Sequence, residues 1–150
     1  MKILIPIDNS QCSWNVMNSL SERTWPKDVE FRIVTVIPFI TNLLYARGVP
    51  KTRRMIKDYA QQVVDGMVIE FKKVIGHASI NGKVLVGGVT SSIVQEAAVW
   101  KPDLIVMESD GNKGFFQRLI FGSISEDVSK QVTCKVEIVR GSEEQNSSTY

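Results

Sequence analysis

The chain has little of several things that would narrow its function at once. It holds two cysteines, Cys12 and Cys134, and one histidine, His77, in 150 residues. Cysteines so far apart match no metal-ligand spacing, and two free thiols in a reducing compartment are expected. A single histidine with no Ser or Cys paired to it by sequence position argues against nucleophilic hydrolase chemistry. His77 falls near the end of a long helical pattern, where a cation suits the macrodipole. The net charge of +2 is too small to draw nucleic acid by bulk attraction. No apolar run approaches the roughly 18 residues of a membrane span. Met1–Pro6 reads as a strand and lacks a small-residue cleavage site, so no secretory leader is expected and a cytoplasmic location is. The first strand–helix turn, Asp8-Asn9-Ser10-Gln11-Cys12, has no Gly-x-Gly-x-x-Gly, and no Gly-x4-Gly-Lys-Ser/Thr occurs anywhere. These gaps remove the dinucleotide and P-loop readings. There is no internal repeat.

What remains is an ordinary globular composition, 43% hydrophobic and 23% charged, in a length that suits one domain with a sizeable core. Lys2–Ile7 is a short apolar run and reads as a buried strand. Asp8, Asn9 or Ser10 then caps a helix running to about Glu22, with Trp14, Met17 and Leu20 at helical spacing. Phe31–Pro38 is rich in β-branched residues and reads as a second strand. Arg53–Ile75 places Ile56, Tyr59, Ala60, Val63, Met67, Phe71 and Val74 on one helical face. Its basic start, with Lys51, Arg53, Arg54 and Lys57, reads as a solvated helix start, with contact to a partner or a phosphate as the alternative. Ile80–Val86 is a third strand, broken by Gly87-Gly88. Thr90 or Ser91 caps a helix with Ile93, Val94, Ala97, Ala98 and Trp100 on its apolar side. Leu104–Met107 and Lys135–Arg140 are the fourth and fifth strands. Gly141–Tyr150 is polar and reads as a disordered tail. Strands alternating with helices imply an α/β, parallel, doubly wound sheet, whose ligands sit beyond the carboxyl ends of the strands.

One segment stands at such an end. Glu108–Glu126 follows the fourth strand, carries Gly111, Gly114 and Gly122, and closes on Ser123-Ile124-Ser125-Glu126, which has capping-box spacing. A glycine-bearing loop running into a helix start brings backbone N–H groups and a partial positive charge to an oxyanion. A phosphate site is the reading, and with it a nucleotide. The capping box also accounts for Ser123 and Ser125 with no ligand at all, and the two roles are compatible.

The order of these pieces resembles the universal stress protein family over nearly all of residues 1–141. The resemblance rests on Ile3-Leu-Ile-Pro-Ile-Asp8-Asn-Ser10, on Gly88 followed by Ile93 and Ala97, and on Pro102-Asp103-Leu-Ile-Val-Met107. It rests most specifically on Gly122-Ser123-Ile-Ser125-Glu126 leading into Cys134-Lys-Val-Glu-Ile-Val139-Arg140. It implies a domain over 1–141, with 142–150 as a tail. It also implies a Rossmann-like, adenine nucleotide alpha-hydrolase-like fold, with five parallel strands ordered 3-2-1-4-5. One branch of the family binds ATP through a Gly-x2-Gly-x9-Gly-Ser/Thr motif. If Gly111 and Gly114 are the first pair, only seven residues separate Gly114 from Gly122. If Gly111 is the second glycine, Glu108 stands at the first glycine position and ten residues, one more than the motif has, separate Gly111 from Gly122. The second register keeps Val106-Met107 just before the motif and is preferred.

The resemblance implies a pocket of Pro6, Ile7, Asp8, Val36, Met107, Glu108, Gly111, Gly122, Ser123, Ile124 and Ser125. Asp8 would accept a hydrogen bond from the adenine amino group or a ribose hydroxyl, or else only cap its helix. Val36 and Met107 would flank the base, and Gly122, Ser123 and Ser125 would face the phosphates. The implied ligand is ATP or another adenine nucleotide, with or without Mg2+. A carboxylate at 108 repels a triphosphate more than a monophosphate or a cyclic nucleotide. The implied partner is a second copy joined through the last strand, Lys135–Arg140, beside an unidentified protein partner. Neither nucleic acid nor membrane is expected as a partner. Regulation by nucleotide binding is the expected function. A nucleotide-independent scaffold with a degenerate pocket is the alternative, and slow ATP hydrolysis a second. Turnover is not expected, because no general base is poised by sequence.

Overall fold

A computed structural model describes residues 1–7, 13–38, 50–109 and 124–140. Its strands are β1 (Lys2–Ile7), β2 (Glu30–Pro38), β3 (Ser79–Gly87), β4 (Leu104–Ser109) and β5 (Lys135–Arg140). The helices among the described residues are α1 (Ser13–Ser21), α2 (Pro50–Val74), α3 (Val89–Trp100) and α4, over 124–131. The five strands form one parallel sheet in the order β3-β2-β1-β4-β5, as expected. Asp8, Cys12, Gly111, Gly122 and Ser123, and the tail from 141, lie outside the described residues.

Period-2 alternation sends the two sides of each strand into two separate cores. Ile3, Ile5 and Ile7 of β1 join Leu104 and Val106 of β4 under α1 and α2, against Val16, Met17, Leu20, Val64, Met67 and Phe71. Leu4 of β1 joins Val34, Ile105 and Met107 on the opposite face, under Ile93, Ala97 and Trp100 of α3 and Ile124 and Val128 of α4. Trp25, Phe31 and Phe71 meet edge to face in the first core, with centroids 5.3 and 5.0 Å apart.

Several boundaries and faces differ from the sequence reading. α2 starts three residues early, with Pro50 in its first position, where a missing N–H costs nothing. Its buried line is Val64, Met67 and Phe71, continued by Ile75 just past its end. Tyr59 (56% exposed) and Val74 (61%) lie off it, because a narrow stripe suffices against a flat sheet. α3 starts at Val89, so neither Thr90 nor Ser91 is the cap. Gly88 occupies that position with no side-chain cap bond, and the Ser91 hydroxyl donates instead to the Gly88 carbonyl at 3.1 Å. Ala98, expected on the apolar side of α3, is exposed.

Candidate functional site

The sheet reverses direction at β1, and there it splits. β1 and β4 are held together at their amino ends: Asp103 N–H donates to the Lys2 carbonyl at 2.8 Å, and Lys2 N–H to Asp103 Oδ2 at 2.6 Å. The ladder then has only the rungs Ile3↔Leu104 and Leu4↔Ile105. The β1–β2 ladder runs from Lys2↔Glu30 to Ile7↔Thr35, and β4–β5 continues to Ser109↔Arg140.

Pro6 supplies the cause. The Met1 carbonyl bonds toward β2 and the Lys2 backbone toward β4. In a parallel strand that direction alternates residue by residue, so Lys2, Leu4 and Pro6 all face β4. Pro6 has no N–H to give. The ladder stops where its donor would be needed, and the strands part toward their carboxyl ends.

The place beyond this short ladder, at the carboxyl ends of the strands, is here called the notch. Its floor is the end of β1 at Pro6 and Ile7. β2 runs on past the Ile7↔Thr35 rung through Val36, Ile37 and Pro38, forming one wall. Met107, Glu108 and Ser109 of β4 form the other. Val36, Met107 and Ile124 share the α3/α4 face and one apolar cluster, and alternation puts Pro6 on that face too. Of the pocket residues expected from the sequence, Val36, Met107 and Ile124 are brought together in this cluster. Ile124 and Ser125 are the first described residues of α4. Ser125 is 3% exposed and has a partner within the protein, so its side chain belongs to the packed helix start.

Glu108 turns the other way. Alternation puts it on the α1/α2 face with Leu104 and Val106. There Asn15 Nδ2, in the first turn of α1, donates to Glu108 Oε1 at 2.9 Å, and the carboxylate is half-buried. The positive end of α1 favours an anion at that place. Nothing in the sequence pattern singles out Asn15.

A second polar cluster lies away from the notch, between α3 and the sheet. Glu96 is 4% exposed and accepts from Arg32 Nη1 at 2.7 Å and Lys83 Nζ at 2.6 Å. Arg32 also donates to Asn81 Oδ1 at 2.9 Å and lies 4.4 Å over the Trp100 ring. Burial alone raises the Glu96 carboxyl pKa, but the hydrogen bonds from Lys83 and Arg32, with their charges, outweigh it and hold the group below its ordinary value. Two polar signals could have found this cluster: an arginine inside the apolar β2 run and a glutamate on the apolar side of α3.

Elsewhere, burial pushes the free Cys134 thiol upward, away from reactivity. His77 is exposed just past α2. Among the described residues no group of three or more metal-ligating side chains forms, and no helix is long and apolar enough to cross a membrane.

A family model, described as the universal stress protein family, matches residues 1–140. The chain belongs to the universal stress protein family. Solved universal stress proteins share its fold. One from Arabidopsis thaliana, solved with AMP bound, is 16% identical at TM-score 0.68, over 99% of this chain and 97% of its own. One from Archaeoglobus fulgidus, in complex with dAMP, is 20% identical at TM-score 0.65, over 93% and 97%. A third, in complex with cAMP, is 19% identical at TM-score 0.65, over 95% and 98%. No curated protein matches the chain.

Proposed function

We propose that this universal stress protein is a nucleotide-binding regulator. It takes an adenine nucleotide in the notch and passes the bound state to a second copy or another protein in the cytoplasm. The observation that carries the reading is the notch itself. A flat, weakly polar base suits a slot with Val36 on one wall and Met107 on the other. The start of α4 lies on the same face and offers N–H groups to a phosphate. Family members of the same fold hold AMP, dAMP and cAMP. Asp8, Gly111, Gly122 and Ser123 complete the proposed pocket in the sequence. Binding is the proposed activity, not turnover, and Mg2+ is not required by it.

The proposed self-association uses β5, an outermost strand on which Ile138 is 46% exposed beside the half-buried Val136. A second reading, a scaffold with a degenerate pocket, is favoured by one observation: a carboxylate stands at the first position of the glycine loop. Isothermal titration calorimetry of nucleotide-stripped protein with AMP, cAMP and ATP separates the two. Saturable binding of any of them at micromolar concentration is expected. Silence with all three refutes the nucleotide reading and leaves the scaffold.

A further inference from the structure

The β1–β4 ladder ends while both strands continue. In the register Ile3↔Leu104 and Leu4↔Ile105, the next rungs would be Ile5↔Val106 and Pro6↔Met107. All four of these residues are described, and neither rung forms. On its other side β1 stays paired to β2 through Ile5↔Ile33, Pro6↔Val34 and Ile7↔Thr35. β4 likewise stays paired to β5 through Met107↔Ile138 and on to Ser109↔Arg140. The two strands keep their form on their far sides and lose pairing only toward each other.

One absent donor accounts for both missing rungs. With Lys2 and Leu4 turned toward β4, the N–H of residue 6 is the group that would reach the Val106 carbonyl, and both rungs share that bond. Residue 6 is proline, which has no N–H. Prolines in sheets are otherwise confined to edge strands, strand starts and bulges. β1 is the central strand of five. A proline there costs a bond that almost any other residue would make.

We propose that Pro6 is a positioning residue for the nucleotide: by withholding one N–H it keeps β1 and β4 unzipped before any ligand arrives, so that the base slot between Val36 and Met107 is preformed. The inference rests on the adenine-nucleotide reading above. A planar base touched on both faces needs about 7–8 Å between the contacting atoms. Val36 and Met107 stand on the strands either side of β1, which unbroken pairing would hold about 9.5 Å apart, backbone to backbone. The two side chains take up the difference, so a fully zipped β4 brings Met107 too close to Val36 for a base to enter. An open ladder also spares the ligand the work of separating the strands, which is the advantage of preorganisation.

The test compares the native full chain with Pro6→Ala and Pro6→Val. Both variants restore the donor. Alanine also removes the bulk of the ring, whereas valine keeps it. Two quantities are read: hydrogen exchange of the residue 6 amide by NMR on isotope-labelled protein, and the affinities for AMP, cAMP and ATP by calorimetry. The new amide is expected to exchange within about tenfold of the Leu4 amide, as a member of the same ladder does. All three nucleotides are expected to bind at least about fivefold more weakly to both variants, the effect of overfilling a site. The three losses should agree within about threefold, because the ligands share the base. A thermal melt of each variant checks that it folds. A residue 6 amide that exchanges freely refutes the ladder account. A protected amide with unchanged affinities shows that the base does not need the gap, and refutes the role. Weaker binding with alanine but not with valine assigns the effect to contact with the ring, and refutes it too. In each of these cases native protein still binds and the nucleotide reading stands. If none of the three nucleotides binds the native protein, that reading fails and the role of Pro6 falls with it, whatever the amide does.

Discussion

Truncating Glu96 to alanine is the sharpest probe of the fold. Glu96 is 4% exposed and is the shared anion for Arg32, whose side chain is 22% exposed, and Lys83, whose side chain is 49% exposed. Breaking a buried ion pair by deleting one partner costs about 3–5 kcal/mol, because the other charge is left in a poor solvent. Lys83 can swing into water and Arg32 keeps some exposure, its bond to Asn81 and its seat on Trp100. A reduced figure of about 2–3 kcal/mol follows, equivalent to a melting temperature roughly 5–10 °C lower for a chain of this length. Removing both ends is different. Arg32→Met with Glu96→Leu leaves no stranded charge and should lie within about 1 kcal/mol of the native protein, so the two single penalties do not add.

The pH dependence has a definite sign. The folded Glu96 carboxyl titrates below its ordinary value, so its contribution is complete above the ordinary carboxylate range. It is lost as pH falls from there through the lowered folded value. Native protein should therefore lose stability across that acid window more steeply than Glu96→Gln. Urea titrations at several pH values, run on Glu96→Ala, on Glu96→Gln and on the four proteins of the Arg32→Met/Glu96→Leu cycle, measure all of this. An alanine variant within about 0.5 kcal/mol of native, or single penalties that simply add in the double variant, would refute the buried-anion account.

Two further outcomes are expected. A Cβ at Gly82 would stand 2.2 Å from Val64 Cγ1 and 3.1 Å from Val68 Cγ2, so Gly82→Ala should lower the urea midpoint by the equivalent of about 1–3 kcal/mol. Val64→Ala should partly restore it, and an unchanged midpoint in the single variant would mean that α2 does not sit on β3 this closely. Ile138→Lys should leave the melting temperature nearly unmoved and abolish self-association through β5. Light scattering that reports the same mass for native and variant protein, whether one subunit or two, contradicts the proposed interface.

The strands were the most legible part of the chain. β-Branched runs bounded by polar turns locate β1 to β5 to within a residue or two, and the alternation of strands with helices implies the parallel sheet. The order β3-β2-β1-β4-β5 was legible only through the family resemblance, since periodicity says nothing about which strands are neighbours. Helix faces were less legible. Tyr59 and Val74 fit the 3.6-residue period, yet a sheet takes only a narrow stripe, and period alone does not say how wide the covered stripe is. The start of α3 was missed because a side-chain cap was expected where Gly88 serves with backbone alone. At the site, Val36 and Met107 were expected as walls only through the family resemblance; by pattern alone both are core residues. Pro6 was legible as a lining residue but not as the reason the strands part, which depends on the direction its missing N–H would face. The Asn15–Glu108 bond joins residues 93 apart and left no periodic trace.

The buried cluster around Glu96 also bears on how copies of this chain can assemble. Asn81 and Lys83 belong to β3, the outermost strand on one side, and both are drawn inward to Arg32 and Glu96. A charged side chain pinned on an edge strand discourages another strand from adding there. β5, at the other end, presents Val136 and Ile138. Joining β3 of one copy to β5 of the next would be a head-to-tail contact, which repeats without limit and makes a filament unless it closes into a ring. Joining β5 to β5 uses the same patch on both partners and is complete at two. The residues that stabilise the domain thus also work against strand addition at β3, one end of the sheet.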